Sequence, residues 1–149
     1  AADLADLEGE KFEVITLWHV LEHIHTLNET MAQLVEQLQE DGTLIVAVPN
    51  ADSHDAQQYK ENWAAYDVPR HLYHFTQPTM KRFLKKHKMK LEEVLPMKFD
   101  AYYVSMLSEK HKEGKTKVLS SVMNGYKSNN YAEKNGNDYS SLIFVAKKK

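Results

Sequence analysis

The chain has 149 residues, no cysteine and a formal net charge of −2. This length predicts one domain with a sizeable core, and the absence of cysteine excludes disulfide bonds, thiolate metal sites and a cysteine nucleophile. A net charge so close to zero provides no basic footprint for nucleic acid or for an anionic membrane. No apolar run approaches the roughly 18 residues that a membrane span needs, so we expect a soluble, cytoplasmic protein.

The first third of the chain predicts a strand, a helix and a second strand. The apolar segment Phe12–Trp18 is nearly continuous, which is typical of a strand buried on both faces. Apolar residues then recur at three- and four-residue steps between positions 27 and 38, and Asp41 and Gly42 are predicted to end this helix in a left-handed turn. A second buried strand follows over 43–48. This order predicts a parallel βαβ unit.

The remainder of the chain begins with a long loop, over 51–76, that is rich in aromatic residues and histidine. Loops of this length are often functional. A helix is predicted to begin at Thr76. A third strand is predicted over 91–99, and Pro96 either confines it to the edge of the sheet or splits it. Helices near 102–111 and 115–127, a polar loop over 128–138 and a last strand over 141–146 complete the predicted elements.

Four linked segments resemble the second half of class I S-adenosylmethionine-dependent methyltransferases. The segment from Phe12 to Ile15, with Leu17 to His23, resembles the family's fourth strand and its "LEH" motif. The segment from Gln39 to Val46 resembles the "LkpGG" turn and fifth strand, and Val48-Pro49-Asn50 resembles the "vPN" that ends that strand. The segment from Trp63 to Thr76 resembles a bacterial, ubiquinone-type subgroup. The resemblance implies a Rossmann-like, three-layer α/β fold with a mostly parallel sheet.

Glycine is sparse in the chain, which bears on how such a domain would hold its cofactor. Members of the family cradle S-adenosylmethionine on a glycine-rich loop after strand one and hold its ribose with an acidic residue after strand two. No two glycines of this chain lie within ten residues of each other: they are Gly9, Gly42, Gly114, Gly125 and Gly136. The resemblance therefore predicts that residues 1–149 form a single, partial methyltransferase domain without the N-terminal glycine-rich half. Strand four would then have an open edge, which favours self-association.

The resemblance implies cofactor contacts at two places. Asp3-Leu4 stands where the family often has an aspartate that accepts a hydrogen bond from the adenine amino group. Leu17, Trp18 and His19 stand beside the methionine end of the cofactor. His19 also follows the carboxyl end of a predicted strand, where ligands bind in open α/β sheets, so it is a candidate catalytic residue. The alternatives are a solvated terminal aspartate and a histidine that only caps the strand.

The loop after the second strand contains the candidate acceptor-binding residues. Histidine titrates near neutrality and can deprotonate a hydroxyl or an amine, so His71 and His74 are candidate catalytic residues. Arg70 can hold a phosphate or a carboxylate. The candidate substrate-binding residues are Trp63, Arg70, His71 and Tyr73. The resemblance implies methyl transfer to a small-molecule or glycan-like acceptor; alternatively, this aromatic segment only packs over the sheet.

A metal-dependent hydrolase is a minor alternative. His19, Glu22 and His23 spell H-x-x-E-H, which on a helix would place both imidazoles on one face, with the glutamate as general base. The motif begins at the end of a predicted strand rather than inside a helix, so we expect no metal site. Some ubiquinone-pathway O-methyltransferases resemble this segment and bind a divalent ion there, but His19 replaces an acidic residue. A non-catalytic module that pairs through its open sheet edge is a further alternative.

Overall fold

A computed structural model describes residue 7 and residues 9–115 and 117–148. In chain order, the helices and strands of these residues are β1 (Phe12–Trp18), α1 (Leu27–Gln37), β2 (Leu38–Pro49), α2 (His54–Tyr59), α3 (Gln77–Lys86), β3 (Met89–Pro96), α4 (Asp100–Glu113), α5 (Val118–Lys134) and β4 (Ser141–Lys148). Single 3₁₀ turns form at Leu21–His23, Lys60–Asn62 and Ala64–Tyr66.

The four strands form one sheet in the order β1-β2-β4-β3. β1 and β2 are parallel, whereas β4 is antiparallel to both of its neighbours, β2 and β3. Three strands therefore point in the same direction, and only the last is reversed. This is the α/β fold with a mostly parallel sheet that the resemblance implies. Of the two outcomes predicted from Pro96, the edge position is confirmed among the described residues, since β3 pairs only with β4.

β1 has the predicted bounds, but it is not buried on both faces. All seven of its residues are at least partly exposed, including Val14 at 52% and Trp18 at 51%. The reason is its position, since in the described part of the chain β1 pairs only with β2 and forms an edge of the sheet. The nearly continuous apolar sequence of β1 predicted burial on both faces, but the described residues leave this strand partly exposed.

The prediction for Gly42 is also wrong, because the helix ends earlier and the glycine lies in a strand. α1 ends at Gln37, and β2 begins at once with Leu38. The pairing of β1 with β2 shifts register here, since Phe12 pairs with Leu38 but Val14 pairs with Thr43. A Cβ atom at Gly42 would collide with the Leu38 side chain and lie 2.9 Å from the Gln39 carbonyl oxygen. Glycine is therefore needed for space, not for a left-handed turn.

Two segments predicted as loops are partly helical. α5 continues to Lys134, through most of the predicted loop at 128–138. Segment 51–76 contains α2 and two 3₁₀ turns, and its end behaves as predicted, with the Thr76 hydroxyl accepting a hydrogen bond from Thr79 N–H to cap α3. Among the described residues, no helix is long and apolar enough to cross a bilayer.

Asp55 attaches residues 51–76, the aromatic segment, to the rest of the fold. This buried side chain accepts hydrogen bonds from Trp63 Nε1 at 2.9 Å, from Ser128 Oγ at 2.9 Å and from Ser140 Oγ at 2.7 Å. The donors belong to the aromatic segment, to α5 and to the residue before β4. An apolar cluster that is separate from the main core includes Tyr59, Trp63 and residues of α4, and it packs beside this network. The segment is therefore ordered by tertiary contacts that its own sequence does not reveal.

Gly125 allows close approach of α4 and α5. A Cβ atom there would lie 2.8 Å from Tyr102 Cδ1 and 2.9 Å from Tyr102 Cα. We expect Gly125→Ala to lower the free energy of unfolding by roughly 1–3 kcal/mol, since overpacking against a backbone outweighs the better helix propensity of alanine. Urea unfolding checks this, with Lys127→Ala on the exposed face as a control that should change stability by less than about 0.5 kcal/mol. A Gly125→Ala protein as stable as the wild type would contradict the close packing.

Candidate functional site

A pocket of about 590 Å³ opens where the carboxyl ends of β1 and β2 meet the beginning of β4. These ends share one edge of the sheet because β1 and β2 are parallel and β4 is reversed. His19, Pro49 and Ser141 line the pocket from these strand ends. The aromatic segment adds Ala64, Ala65, Asp67, Arg70 and His71, and α4 adds Asp100, Tyr103, Val104, Leu107 and His111.

His19 lies in this pocket between two carboxyl groups. Its Nδ1 lies 3.3 Å from Glu22 Oε1, and its Nε2 lies 3.0 Å from Asp100 Oδ2. The backbone is held in the left-handed region, with φ at 53°, a conformation that costs a non-glycine residue about 1 kcal/mol or more. Asp67, which also lines the pocket, has φ at 37°. Strained residues of this kind cluster at functional sites.

The two carboxyl groups keep His19 protonated. Hydrogen bonds to Asp100 and then to Glu22 are the main reasons that the pKa of His19 rises from 6.5 to about 9, despite burial that lowers it. Burial of Asp100 tends to raise its pKa, but the hydrogen bonds that it accepts, led by that from His19, bring its pKa below the usual value. At neutral pH His19 is therefore an imidazolium that donates from both nitrogens, so it cannot act as a general base.

The raised pKa of His19 links the stability of the fold to pH. Because the folded value is above the ordinary one, this stabilisation is complete below about pH 6.5 and is lost as the pH rises through about 9. The ring is 35% exposed, so we discount for solvent screening and expect a loss of roughly 1–2 kcal/mol, which His19→Gln should not show. NMR titration of the ring and urea unfolding at both ends of this range check it. An imidazole that titrates near 6.5 would contradict the paired geometry.

His71 lines the same pocket. Its Nδ1–H donates to the Ala65 carbonyl oxygen at 2.7 Å, and its Nε2 lies 3.8 Å from Asp67 Oδ2. His23 is fixed in the same way, by a hydrogen bond from Nδ1 to the Arg70 carbonyl oxygen at 3.0 Å. One ligand atom each from Glu22, His23 and His71 lies within 4.8 Å of the others. The two rings pack edge to face, with centroids 4.6 Å apart.

The hydrolase alternative required a different arrangement of these side chains. The residues of the H-x-x-E-H motif do not lie on an α-helix, because Leu21–His23 is a single 3₁₀ turn and the His19 backbone is left-handed. Both ring nitrogens of His19 are occupied by Glu22 and Asp100. The three residues therefore cannot act as an inverted zinc-peptidase motif in this fold.

The predicted acceptor residues separate into two groups. Arg70 and His71 line the pocket with His19. The Arg70 guanidinium is exposed and already paired, with Nη2 and Nε at 2.6 and 3.1 Å from Asp67 Oδ1. The other predicted residues, Trp63, Tyr73 and His74, do not line the pocket. Trp63 is 1% exposed and donates a hydrogen bond to Asp55. The Tyr73 hydroxyl lies 3.5 Å from the His25 carbonyl oxygen, and His74 Nε2 donates to the Tyr66 carbonyl oxygen.

The predicted cofactor residues lie at the end of β1 or outside the described residues. Trp18 is half exposed on the sheet edge, and Leu17 packs partly against the core. Asp3 and Leu4 are outside the described residues. Sequence reasoning missed the contribution of α4, from which Asp100 contacts His19 and Tyr103 and Leu107 form a wall. The helix itself was predicted, but no motif marks Asp100 as a partner of a residue 81 positions earlier.

Solved structures with the same fold include two methyltransferases with bound S-adenosylhomocysteine. One is the 1,6-didemethyltoxoflavin-N1-methyltransferase of Burkholderia thailandensis, with 16% identity and a TM-score of 0.56, covering 99% of this chain and 49% of its own length. Another is the magnesium protoporphyrin IX methyltransferase of Synechocystis PCC 6803, with 14% identity and a TM-score of 0.53. The match covers 99% of this chain and 49% of that enzyme. The [4+2]-cyclase SpnF has the same fold, with 13% identity and a TM-score of 0.58. The match covers 99% of this chain and 54% of the cyclase.

The fold of the chain is thus that of the Rossmann-like α/β methyltransferases, of which it spans about half the length. No curated protein sequence matches it significantly. A family profile described as "Methyltransferase domain" matches residues 1–94, well over half of the chain. The chain therefore belongs to the methyltransferase domain family, as its motifs predict.

Proposed function

We propose that this chain forms the acceptor-binding side of an S-adenosylmethionine-dependent methyltransferase that acts on a small molecule in the cytoplasm. The observation that carries the proposal is the pocket at the carboxyl ends of β1 and β2, lined by His19, Asp100 and His71. Ligands bind at this edge in open α/β sheets. Family membership and the S-adenosylhomocysteine bound in two structures of the same fold support the cofactor.

The residues of this chain fit one end of the cofactor only. Trp18 offers an exposed ring at the carboxyl end of β1, and His19 lies at the pocket, so this end could contact the methionine part. When bound, S-adenosylmethionine supplies an electrophilic methyl group on a sulfonium. None of the 149 residues forms a glycine-rich loop, because the five glycines are too far apart. We therefore propose that the main cofactor cradle is supplied by residues outside this sequence.

The lining of the pocket indicates what kind of acceptor it would take. Its volume lies within the range of roughly 300–1,000 Å³ that is usual for small-molecule sites. Val104, Leu107 and the ring of Tyr103 are the apolar lining from α4. The polar lining residues are His19, Asp67, Arg70, His71, Asp100, His111 and Ser141. An acceptor that combines an apolar part with hydroxyl or amine groups matches this mixed lining.

Positioning and proton removal are the two tasks that these residues would perform. Methyl transfer depends mainly on alignment of the nucleophile, so a rigid pocket supplies much of the effect. The imidazolium of His19 and its carboxyl partners would fix the polar side of the pocket. His71, whose Nε2 lies 3.8 Å from Asp67 Oδ2, would take the proton from the acceptor group. His74, which does not line the pocket, would remain a secondary candidate.

Transfer of labelled methyl groups tests the proposed function. The protein, as its gene encodes it, is incubated with S-adenosylmethionine carrying a tritiated methyl group and with small-molecule extracts. The expected result is label in a small molecule, reduced about tenfold or more by Asp100→Ala. Label incorporated only into macromolecules, or incorporation unaffected by Asp100→Ala, would contradict the proposed acceptor site.

A non-catalytic interaction module is the second candidate, and the exposed edge of β1 favours it. Val14 and Trp18 are half exposed on a strand that pairs on one side only within the described residues. Pairing through this edge would make the chain a dimer that Val14→Lys dissociates. Size-exclusion chromatography with light scattering tests the interaction module against the methyltransferase proposal, since a monomer at high concentration counts against edge pairing.

A further inference from the structure

The N-terminal half of α5 has an apolar face that the described residues leave exposed. Val118 and Leu119 are 63% and 80% exposed, and further exposed apolar side chains follow at helical spacing, namely Val122, Met123 and Tyr126. Together they form one stripe along the helix, because residues four apart share a face. Soluble proteins rarely expose a contiguous apolar surface of this kind without a binding partner.

Basic residues surround the beginning of this stripe. Lys110 and Lys112 end α4, and Lys115 and Lys117 precede α5; all four are exposed. Glu113 is the one acidic residue among positions 110–118, and it pairs with Lys117. A local excess of positive charge thus lies beside exposed apolar side chains in a chain whose net charge is −2.

We propose that this tip of the α4–α5 hairpin docks on the surface of an anionic lipid bilayer. The apolar stripe would enter the boundary between headgroups and acyl chains, and the lysines would contact lipid phosphates. Such a helix lies in the interface and does not span it. The hairpin is defined as residues 110–126, without Thr116, which the structure does not describe.

Charge argues against a second copy of the chain as the occupant, and side-chain composition argues against nucleic acid. A second copy docked through the same face would bring two sets of lysines together, which opposes symmetric pairing. Nucleic acid is favoured by aromatic stacking beside basic residues, whereas this stripe is mainly aliphatic. The inference does not depend on the proposed function, although His111, between two of the lysines in sequence, also lines the pocket.

Flotation with lipid vesicles tests the proposal. The chain is mixed with vesicles of phosphatidylcholine alone or with about 30 mol % phosphatidylglycerol, and bound protein is measured. We expect at least tenfold stronger partition onto the anionic vesicles. Lys112→Gln with Lys115→Gln should reduce it about 25-fold, and Leu119→Ser with Met123→Ser should reduce it at least about tenfold.

The matched control is a basic surface without an apolar stripe. Lys81 and Lys85 are exposed on α3, and Lys81→Gln with Lys85→Gln should change partition less than about twofold. An equal loss in this control would overturn the proposal, as would full binding by Leu119→Ser with Met123→Ser. Absence of vesicle binding would overturn it too, whether light scattering then shows a monomer or a dimer through this face. Circular dichroism verifies that all variants are folded.

Discussion

Replacing Asp55 with alanine is expected to lower the free energy of unfolding by roughly 3–5 kcal/mol, the largest stability change that we predict. Its two carboxyl oxygens accept three hydrogen bonds in a buried site, from Trp63 and from Ser128 and Ser140. The alanine variant would leave these donors without a partner and would open a cavity. Since the three donors belong to different parts of the chain, the loss would loosen the aromatic segment from α5 and β4.

Two further variants at and near this site sharpen the test. Asp55→Asn keeps the shape and one acceptor oxygen, so we expect a smaller loss of roughly 1–2 kcal/mol. Asp52→Ala, on an exposed neighbour in the same segment, should change stability by less than about 0.5 kcal/mol. Urea unfolding followed by circular dichroism measures all three. If Asp55→Ala were no worse than Asp52→Ala, the buried network would not be what holds this segment.

Replacing His71 with alanine is expected to lower kcat for methyl transfer roughly 100-fold, the usual scale for loss of a general base. The reason is geometric, since His71 lines the pocket with its Nδ1 held by the Ala65 carbonyl oxygen and its Nε2 3.8 Å from Asp67 Oδ2. His19 cannot replace it, because its raised pKa keeps it protonated at neutral pH. Rates are compared over a pH series with the acceptor found by methyl labelling.

His25→Ala is the matched control for this variant, since its side chain is exposed and lies outside the pocket. We expect its kcat to stay within about twofold of the wild type. Asp100→Asn should act differently from both, because it lowers the pKa of His19 rather than removing a proton acceptor. A His71→Ala enzyme with an unchanged kcat, or a loss in His74→Ala instead, would show that the proton leaves by another route.

The strands and capped helices of this fold were the most predictable elements, because their signals are local. β1 has the predicted bounds, and Thr76 begins α3 as its hydroxyl predicts. Gly42 misled the prediction because a glycine needed for space looks the same in sequence as one that ends a helix. The length of α5 was missed because the buried Ser128 and Ala132 continue the helix through a polar sequence.

The candidate site was predictable only where the chain itself supplies the neighbours. His19 follows its strand, and Arg70 and His71 lie in the loop after β2, so order along the chain brings them to one edge. Asp100 reaches His19 through tertiary packing, and Trp63 turned inward to Asp55, neither of which a motif reveals. Net charge likewise concealed the basic hairpin, because an average over 149 residues does not show where the lysines gather.

The most direct test of the central claim is an NMR titration of the ¹⁵N-labelled chain with S-adenosylhomocysteine. We expect shifts of the amides of Leu17, Trp18 and His19 and of the pocket lining, without saturation below about 1 mM, because the glycine-rich cradle is not among these residues. Saturation at micromolar concentration would contradict the proposal that the main cofactor cradle lies outside this sequence. Shifts confined to other parts of the chain, or none at the end of β1, would contradict its location.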